Sequence, residues 1–180
     1  MSLVVNLLGG SGLGKSTTAA LVFGELKLQD KSAELIQEYA KEWAWAGRRI
    51  KPEDQDHILT EQHTRESRVY GKVDFIITDS PLILGPVYEK FYSGSDRSFA
   101  RVYDLIQSAE NSGVRYMNFV LNRNKKFNPQ GRFETEDQAK AVDNLLRDYL
   151  IEKNIPFHTV QSTDRERVSE ILHYVLKETR

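Results

Sequence analysis

Short runs of apolar residues alternate along this chain with longer stretches in which apolar residues recur at every third or fourth position. Runs of the first kind are typical of buried strands, and stretches of the second kind are typical of amphipathic helices. The apolar runs predict five strands, at residues 3–8, 33–36, 73–78, 115–121 and 155–160. The periodic stretches predict helices at residues 15 to about 27, through Trp43 and Trp45, at 52 to about 72, at 98–111, from a capping box at 135–138 to about 153, and at 165 to about 177.

This alternation of strands and helices is typical of a parallel sheet with helices on both faces. We therefore expect an α/β fold of three layers, built on a parallel five-stranded sheet. A length of 180 residues is typical of one domain, so we expect residues 1–180 to form a single domain.

Composition removes several classes of function. The 25 Lys+Arg and 26 Asp+Glu leave a net charge of −1, which excludes nucleic-acid binding by bulk charge but not by a local basic patch. The absence of cysteine excludes disulfides, thiolate catalysis and Cys-based metal sites, and the four histidines form no His-Glu-x-x-His pattern. The apolar run at residues 3–8 is too short for a signal peptide or a membrane span, so we expect a cytoplasmic protein without membrane contact.

A glycine-rich segment follows the first predicted strand and fits the pattern Gly-x-x-x-x-Gly-Lys-[Ser/Thr] at every fixed position. Glycines let the backbone curl so that its N–H groups point at a phosphate, and the next helix adds its positive end. We expect Lys15 to reach the β- and γ-phosphates of ATP and Ser16 to ligate Mg²⁺. The residues expected to bind the nucleotide are Gly9, Gly10, Ser11, Gly12, Leu13, Gly14, Lys15, Ser16 and Thr17.

A second acidic anchor, Asp79, follows the third predicted strand. An aspartate that leaves a buried strand beside a phosphate loop can hold Mg²⁺ through water or accept a proton. It can equally cap a helix that follows Pro81, and the two roles are compatible.

Three classes of phosphate-loop protein are distinguished by other segments. A signalling GTPase needs Asn-Lys-x-Asp and Asp-x-x-Gly, whereas this chain has Asn122-Arg123-Asn124-Lys125 and Asp79-Ser80-Pro81-Leu82 in the corresponding places. A ring-forming ATPase is normally longer, with sensor and arginine-finger elements downstream. A kinase of small substrates needs only the loop, an acid near the acceptor hydroxyl and a basic lid.

The candidate lid spans about residues 122–134, within a stretch from Arg115 to Phe133 that contains five Lys/Arg and no Asp or Glu. Arg123 and Arg132 are placed to close over the transferred phosphoryl group and to neutralise its charge. The alternative for this segment is an ordinary solvated basic loop.

The candidate proton acceptor is Glu38, just after the second predicted strand. Residues beyond the carboxyl ends of parallel strands face the binding crevice of such a sheet, although a glutamate here can also simply favour a helix dipole. Glu38 or Asp79 is therefore the expected base. Tyr39, and Gln62 and Arg65 on the long polar helix, are candidates for contact with the acceptor, or are solvated surface residues.

Four segments together resemble a group of small P-loop kinases: Gly9–Ser16, Glu38-Tyr39-Ala40-Lys41-Glu42, Asp79-Ser80-Pro81 and Asn128-Pro129-x-Gly131-Arg132. One relative is the ribosylnicotinamide kinase domain of bacterial NAD-salvage proteins. The lid motif resembles that of phage-encoded kinases, a group that includes enzymes phosphorylating the hydroxymethyl group of 5-hydroxymethyluracil in DNA. If the protein is phage-encoded, its expected location is the host cytoplasm.

We therefore expect a kinase that uses ATP and Mg²⁺ and phosphorylates a hydroxyl of a nucleoside-like acceptor, preferably 5-hydroxymethyluracil in DNA. A DNA acceptor requires basic contacts to strand phosphates, for which residues 48–51 and Lys125-Lys126 are candidates. The alternatives are ribosylnicotinamide or another free nucleoside or nucleotide, and an ATP-binding regulatory switch without an acceptor. The pattern specifies no oligomeric state.

Overall fold

The computed structural model of the chain describes residues 1–51, 54–124, 126–128, 130 and 134–178. Its strands are β1 (Ser2–Leu8), β2 (Ala33–Ile36), β3 (Phe75–Thr78), β4 (Val114–Leu121) and β5 (His158–Val160). Its helices are α1 (Lys15–Leu28), α2 (Ala40–Trp45), α3 (Gln55–Ser67), α4 (Leu84–Ser93), α5 (Ser98–Asn111), α6 (Glu136–Glu152) and α7 (Asp164–Lys177).

The five strands form one sheet in the order β2-β3-β1-β4-β5, and every neighbouring pair is parallel. All seven residues of β1, the central strand, are buried, as expected of a strand covered on both faces. The prediction of a parallel five-stranded α/β fold is confirmed.

Alternate residues of β1 pack into two separate hydrophobic clusters, one on each face of the sheet. Leu3, Val5 and Leu7 pack in the cluster that includes Val22 of α1 and Ile171 of α7. Leu8 packs on the opposite face in a cluster with α4, α5 and α6. The result is the expected arrangement of three layers, in which the carboxyl ends of all five strands lie at one edge of the sheet.

The third strand begins at Phe75 rather than at 73, and two other elements are also shorter than predicted. The fifth strand begins at His158 rather than at 155, because the chain before it completes the turn after α6: Asn154 has a φ of 55° and the N–H of Ile155 donates to the carbonyl of Leu150 (2.9 Å). The polar helix predicted to reach about residue 72 ends at Ser67 and is followed by a turn in which Gly71 has a φ of 69°.

The capping box predicted before α6 is present, with Thr135 as the N-cap and reciprocal hydrogen bonds to Gln138. A helix that the apolar periodicity did not predict, α4, follows Pro81 and ends at Gly94 with a φ of 72°. Its N-cap is Ile83, so the alternative role of Asp79 as the cap of this helix is wrong. Among the described residues, no helix is long and apolar enough to cross a membrane.

Candidate active site

The phosphate-loop sequence occupies the turn between β1 and α1, at the carboxyl edge of the sheet. Gly9, Gly12 and Gly14 have φ values of 144°, 80° and 84°, which side-chain-bearing residues rarely adopt. A Cβ on Gly12 would also stand 2.7 Å from the ring of Phe127. The backbone therefore curls as the glycine spacing predicts, and Gly14 leads directly into the first turn of α1.

Lys15, the first residue of α1, folds back over this turn. Its Nζ donates to the carbonyl oxygens of Gly9 (2.7 Å) and Gly10 (2.9 Å). Ser16 is half-buried beside it, and Thr17 is exposed. The ammonium group is thus held above the loop, where the phosphates of a nucleotide would need a positive charge.

The two carboxylates expected at this edge follow adjacent strands. Asp79 comes directly after β3 and Glu38 comes two residues after β2, and the two strands are paired with Ile36 opposite Thr78. Burial raises the pKa of Glu38, the positive charge of Lys15 acts against this, and the negative charge of Asp79 adds to it. The charges of Lys15 and Asp79 therefore both act on the Glu38 carboxyl group, as expected of groups that share one site.

The donor set fits Mg²⁺ bound together with nucleotide phosphates. Asp79 is 5% exposed, and its Oδ1 has no hydrogen-bond partner among the described residues. Ser16 adds a hydroxyl at the start of α1. The described part of the chain contains no cluster of three or more His, Asp or Glu side chains that would hold a metal alone. Mg²⁺ usually takes one or two protein oxygens and completes its shell with phosphates and water.

The segment after β2 packs against α3 through Tyr39. Its hydroxyl is hydrogen-bonded to Nε2 of His57 (3.0 Å), and the guanidinium of Arg65 lies 4.6 Å from its ring centre. Arg65 also pairs with Glu42 (2.8 Å). The structure therefore brings Tyr39 and Arg65 into contact, together with His57, which the sequence interpretation missed.

Gln62 has a different environment from the one expected of a surface side chain. It is 3% exposed, and its Oε1 accepts a hydrogen bond from the N–H of Tyr39 (3.0 Å). Its Nε2 lies 3.5 Å from the carbonyl of Gln37. Gln62 thus ties the end of β2 to α3 and orients Tyr39, so contact with the acceptor would require it to give up these bonds.

Two tyrosines of α4, a helix without functional residues in the sequence analysis, interact with acidic residues. Tyr88 stacks on Tyr92 (6.3 Å between ring centres), and the Tyr92 hydroxyl donates to Glu134 (3.2 Å). Burial raises the pKa of Tyr88, and the negative charges of Glu134 and Glu38 raise it further. The charge of Glu38 therefore acts on the phenol of Tyr88.

Arg123 follows the end of β4 and contacts the phosphate loop directly. Its Nη2 donates to the carbonyl of Ser11 (2.9 Å), and its Nε pairs with Asp143 of α6 (2.7 Å). The alternative interpretation of this segment, an ordinary solvated basic loop, is wrong at Arg123. Its guanidinium is paired with an acid of α6 that lies 20 residues away in sequence. Arg132, Lys125, Pro129 and Gly131 lie outside the described residues.

A buried arginine that the sequence interpretation overlooked supports the loop from below. Arg167 of α7 is 1% exposed, and its guanidinium donates to the carbonyls of Leu13 (2.9 Å) and Asn122 (3.0 Å). It also reaches the carbonyl of Ser162 (3.3 Å). Three turns at the carboxyl edge of the sheet are therefore tied to one side chain.

Solved structures share this fold at low sequence identity. A NadR protein in complex with NR has a TM-score of 0.73 and 20% identity, over 98% of this chain and 51% of that chain, so the present chain spans about half its length. A deoxyadenosine kinase from M. mycoides with bound dATP has a TM-score of 0.56 and 16% identity, over 96% and 98% of the two chains. The fold is thus one that P-loop kinases also have.

No curated protein sequence matches the chain significantly. Residues 4–167, which include the phosphate loop, most of β1, the other four strands and Arg167, match the AAA domain family. This chain belongs to the AAA domain family.

Proposed function

We propose that this protein is a kinase that transfers the γ-phosphoryl group of ATP to a hydroxyl of a nucleoside-like acceptor. The observation that carries the proposal is the position of Glu38. It follows β2 at the carboxyl edge of the sheet, burial raises its pKa, and the charges of Lys15 and Asp79 act on its carboxyl group. A base is suited to its task when its pKa is shifted towards the working pH. A protein that only binds the nucleotide needs no such base, whereas a hydrolase would use it to take a proton from the attacking water, so the acceptor must be tested directly.

The chain's own residues account for each step of the transfer. Lys15 and the loop N–H groups bind the β- and γ-phosphates, and Glu38 accepts the proton of the acceptor hydroxyl. The acceptor oxygen forms a bond to the γ-phosphorus as the bond from that phosphorus to the β–γ bridging oxygen breaks, which leaves ADP. Arg123 stabilises the negative charge on the transferred group. Ser16 and Asp79 would hold a Mg²⁺ ion bound with the nucleotide, and such an ion would further neutralise phosphate charge.

The acceptor that the sequence resemblance favours is the hydroxymethyl group of 5-hydroxymethyluracil in DNA. Its support is the lid motif at residues 128–132, together with basic residues near α2. Within that basic group Arg48 and Arg49 are both exposed, but Arg48 also lies 3.5 Å from the ring centre of Trp43 and pairs with Asp54 (3.0 Å). A target base in duplex DNA would have to turn out of the helix to enter the crevice.

A free nucleoside is the competing acceptor within the same reaction class. Its support is the fold shared with a NadR protein that binds NR and with a deoxyadenosine kinase. The two acceptors differ in their response to salt, because contacts to strand phosphates release counterions. The apparent KM for a DNA acceptor should rise steeply with salt, and Arg49→Ala should reduce that slope. The KM for a free nucleoside should change little.

Membership of the AAA domain family favours a candidate of another class, an ATP-hydrolysing switch without an acceptor. The rate of ADP formation separates the two classes. A kinase forms ADP much faster when its acceptor is present, and nucleosides, nucleotides and hydroxymethylated DNA can each be added in turn. ADP formation at a rate that no acceptor changes would favour the switch, whatever the effect of Glu38→Gln, because a hydrolase can use the same base on water.

A further inference from the structure

A ring of hydrogen bonds joins α6, Arg123 and the phosphate loop. Oδ1 of Asp143 accepts the N–H of Gly10 (2.6 Å), and Oδ2 accepts Nε of Arg123 (2.7 Å). The Nη2 of Arg123 closes the ring by donating to the carbonyl of Ser11 (2.9 Å). The side chains of Arg123 and Asp143 are only 12% and 17% exposed, so water screens their interaction weakly.

One nitrogen of Arg123 is not used in this ring. Its Nη1 is buried and has no hydrogen-bond partner among the described residues. It lies 3.5 Å from the position that a Cβ on Gly12 would take, so it faces the phosphate loop. A buried N–H without an acceptor is unfavourable by about 1–3 kcal/mol. A phosphate oxygen above the loop would supply the acceptor, and a guanidinium group suits phosphate geometry well.

We propose that Asp143 is a positioning residue that holds Arg123 in the orientation needed to bind a nucleotide phosphate. The pairing at Nε and at Nη2 fixes the plane of the guanidinium group and leaves the Nη1 edge directed at the loop. The side-chain freedom of Arg123 is then lost on folding rather than on nucleotide binding. The inference rests on the proposed function only in giving Arg123 a nucleotide phosphate as its ligand.

Asp143 could instead act only as a support for the loop, through Gly10. The variant Asp143→Asn separates the two roles. The Oδ1 of an asparagine can still accept the Gly10 N–H, but its Nδ2 is a donor and cannot accept a hydrogen bond from Nε of Arg123. The variant therefore keeps the loop contact and removes the clamp on the arginine.

The test is a titration with Mg·ATP of the wild type, Asp143→Asn, Arg123→Ala and the double variant. We expect Asp143→Asn to weaken ATP binding about tenfold, and the double variant to bind no more weakly than Arg123→Ala, because Asp143 acts through the arginine. Asp148→Asn, an exposed position on the same helix, is the matched control and should bind as the wild type does. Independent, additive losses, or wild-type affinity in Asp143→Asn, would overturn the proposal.

Arg123→Lys gives a second test if Asp143→Asn does not fold. Lysine keeps the charge but cannot contact Asp143, Ser11 and a ligand at once, so ATP binding should fall about as far as in Arg123→Ala. Wild-type affinity in Arg123→Lys would overturn the proposal. These titrations need no acceptor. If the variants lose ATP affinity as predicted but the protein phosphorylates no acceptor, the kinase function is rejected and the role of Asp143 still stands.

Discussion

The carboxyl group of Glu38 is charged only above a pKa that burial raises from the ordinary value of a glutamate. A base must be deprotonated to accept a proton, so phosphoryl transfer should fall as the pH drops through that raised pKa. We predict that Glu38→Gln lowers kcat at least about 100-fold and removes this acid limb of the pH profile. The affinity for ATP should change little, since the base acts on the acceptor.

The matched control is Glu34→Gln, which changes an exposed glutamate on β2. It should keep the wild-type kcat and pH profile. A kcat in Glu38→Gln close to that of the wild type would move the role of base to Asp79.

Lys15 contributes charge to the phosphate site and little to packing, because its ammonium group contacts the carbonyls of Gly9 and Gly10. We predict that Lys15→Ala remains folded, with helicity and melting temperature near those of the wild type, but shows no measurable phosphoryl transfer. Lys27→Ala, at an exposed position of the same helix, should be active. Loss of solubility or helicity in Lys15→Ala would count against this role.

At the level of single residues, local motifs predicted which side chains would gather at the carboxyl edge, but not what each one contacts. Gln62 is buried in a segment whose polar composition suggested an exposed helix. Arg123 pairs with Asp143, which lies 20 residues away in sequence, and no local sequence pattern predicts this pair. The contact of Tyr39 with Trp43 did have a sequence signal, because the two residues are four positions apart. Their ring centres lie 6.0 Å apart.

Among the elements, α7 has a structural role that its sequence did not suggest. Arg167 donates from one end of this helix to carbonyls in three separate turns. We predict that Arg167→Met lowers the free energy of unfolding by about 3 kcal/mol, because buried carbonyl groups lose charged donors. The same variant should weaken ATP binding, since one of these carbonyls belongs to Leu13 of the phosphate loop.

Urea denaturation measures this loss, and Arg165→Met, an exposed position two residues earlier on α7, is its control. A change in Arg167→Met no larger than that in Arg165→Met would show that the three turns are held by other contacts.

The strands and the alternation of strands and helices could be predicted from the hydrophobic pattern, because the strands of a fully buried parallel sheet are continuous apolar runs in the sequence. Element ends were harder to predict. The chain between Asn154 and Phe157 is apolar enough to extend a strand, yet the carbonyl of Pro156 accepts a hydrogen bond from the side chain of Asn118 (3.0 Å) instead. Such contacts depend on residues far away in sequence.

For the molecule as a whole, a buried carboxyl group away from the phosphate loop should set part of the response to pH. Glu66 of α3 is fully buried, accepts the hydroxyl of Tyr70 (2.5 Å), and has no partner for Oε2 among the described residues. Tyr116 completes the cluster by its hydroxyl contact with Tyr70 (2.8 Å). Burial raises the pKa of Glu66 to about 7, although the hydrogen bonds from both tyrosines act against this.

A carboxyl group with a raised pKa binds its proton more tightly in the folded state than in the unfolded state. The free energy of unfolding should therefore fall as the pH rises from about 4.5 to about 7, by roughly 3 kcal/mol from this group, and level off above that range. Glu66→Gln should remove this decline. Urea denaturation between pH 5 and pH 8 measures it, with Glu25→Gln as an exposed control. Equal slopes in the wild type and Glu66→Gln would contradict the prediction.

The central claim is that the γ-phosphoryl group of ATP passes to an acceptor hydroxyl at this site, and a single-turnover reaction with γ-labelled ATP and Mg²⁺ tests it most directly. Nucleosides, nucleotides and hydroxymethyluracil-containing DNA are offered separately, and the labelled products are separated from inorganic phosphate. The account predicts label in one class of acceptor, in step with ADP formation, and none with Lys15→Ala. Release of all the label as inorganic phosphate, at one rate with or without every acceptor, would contradict it.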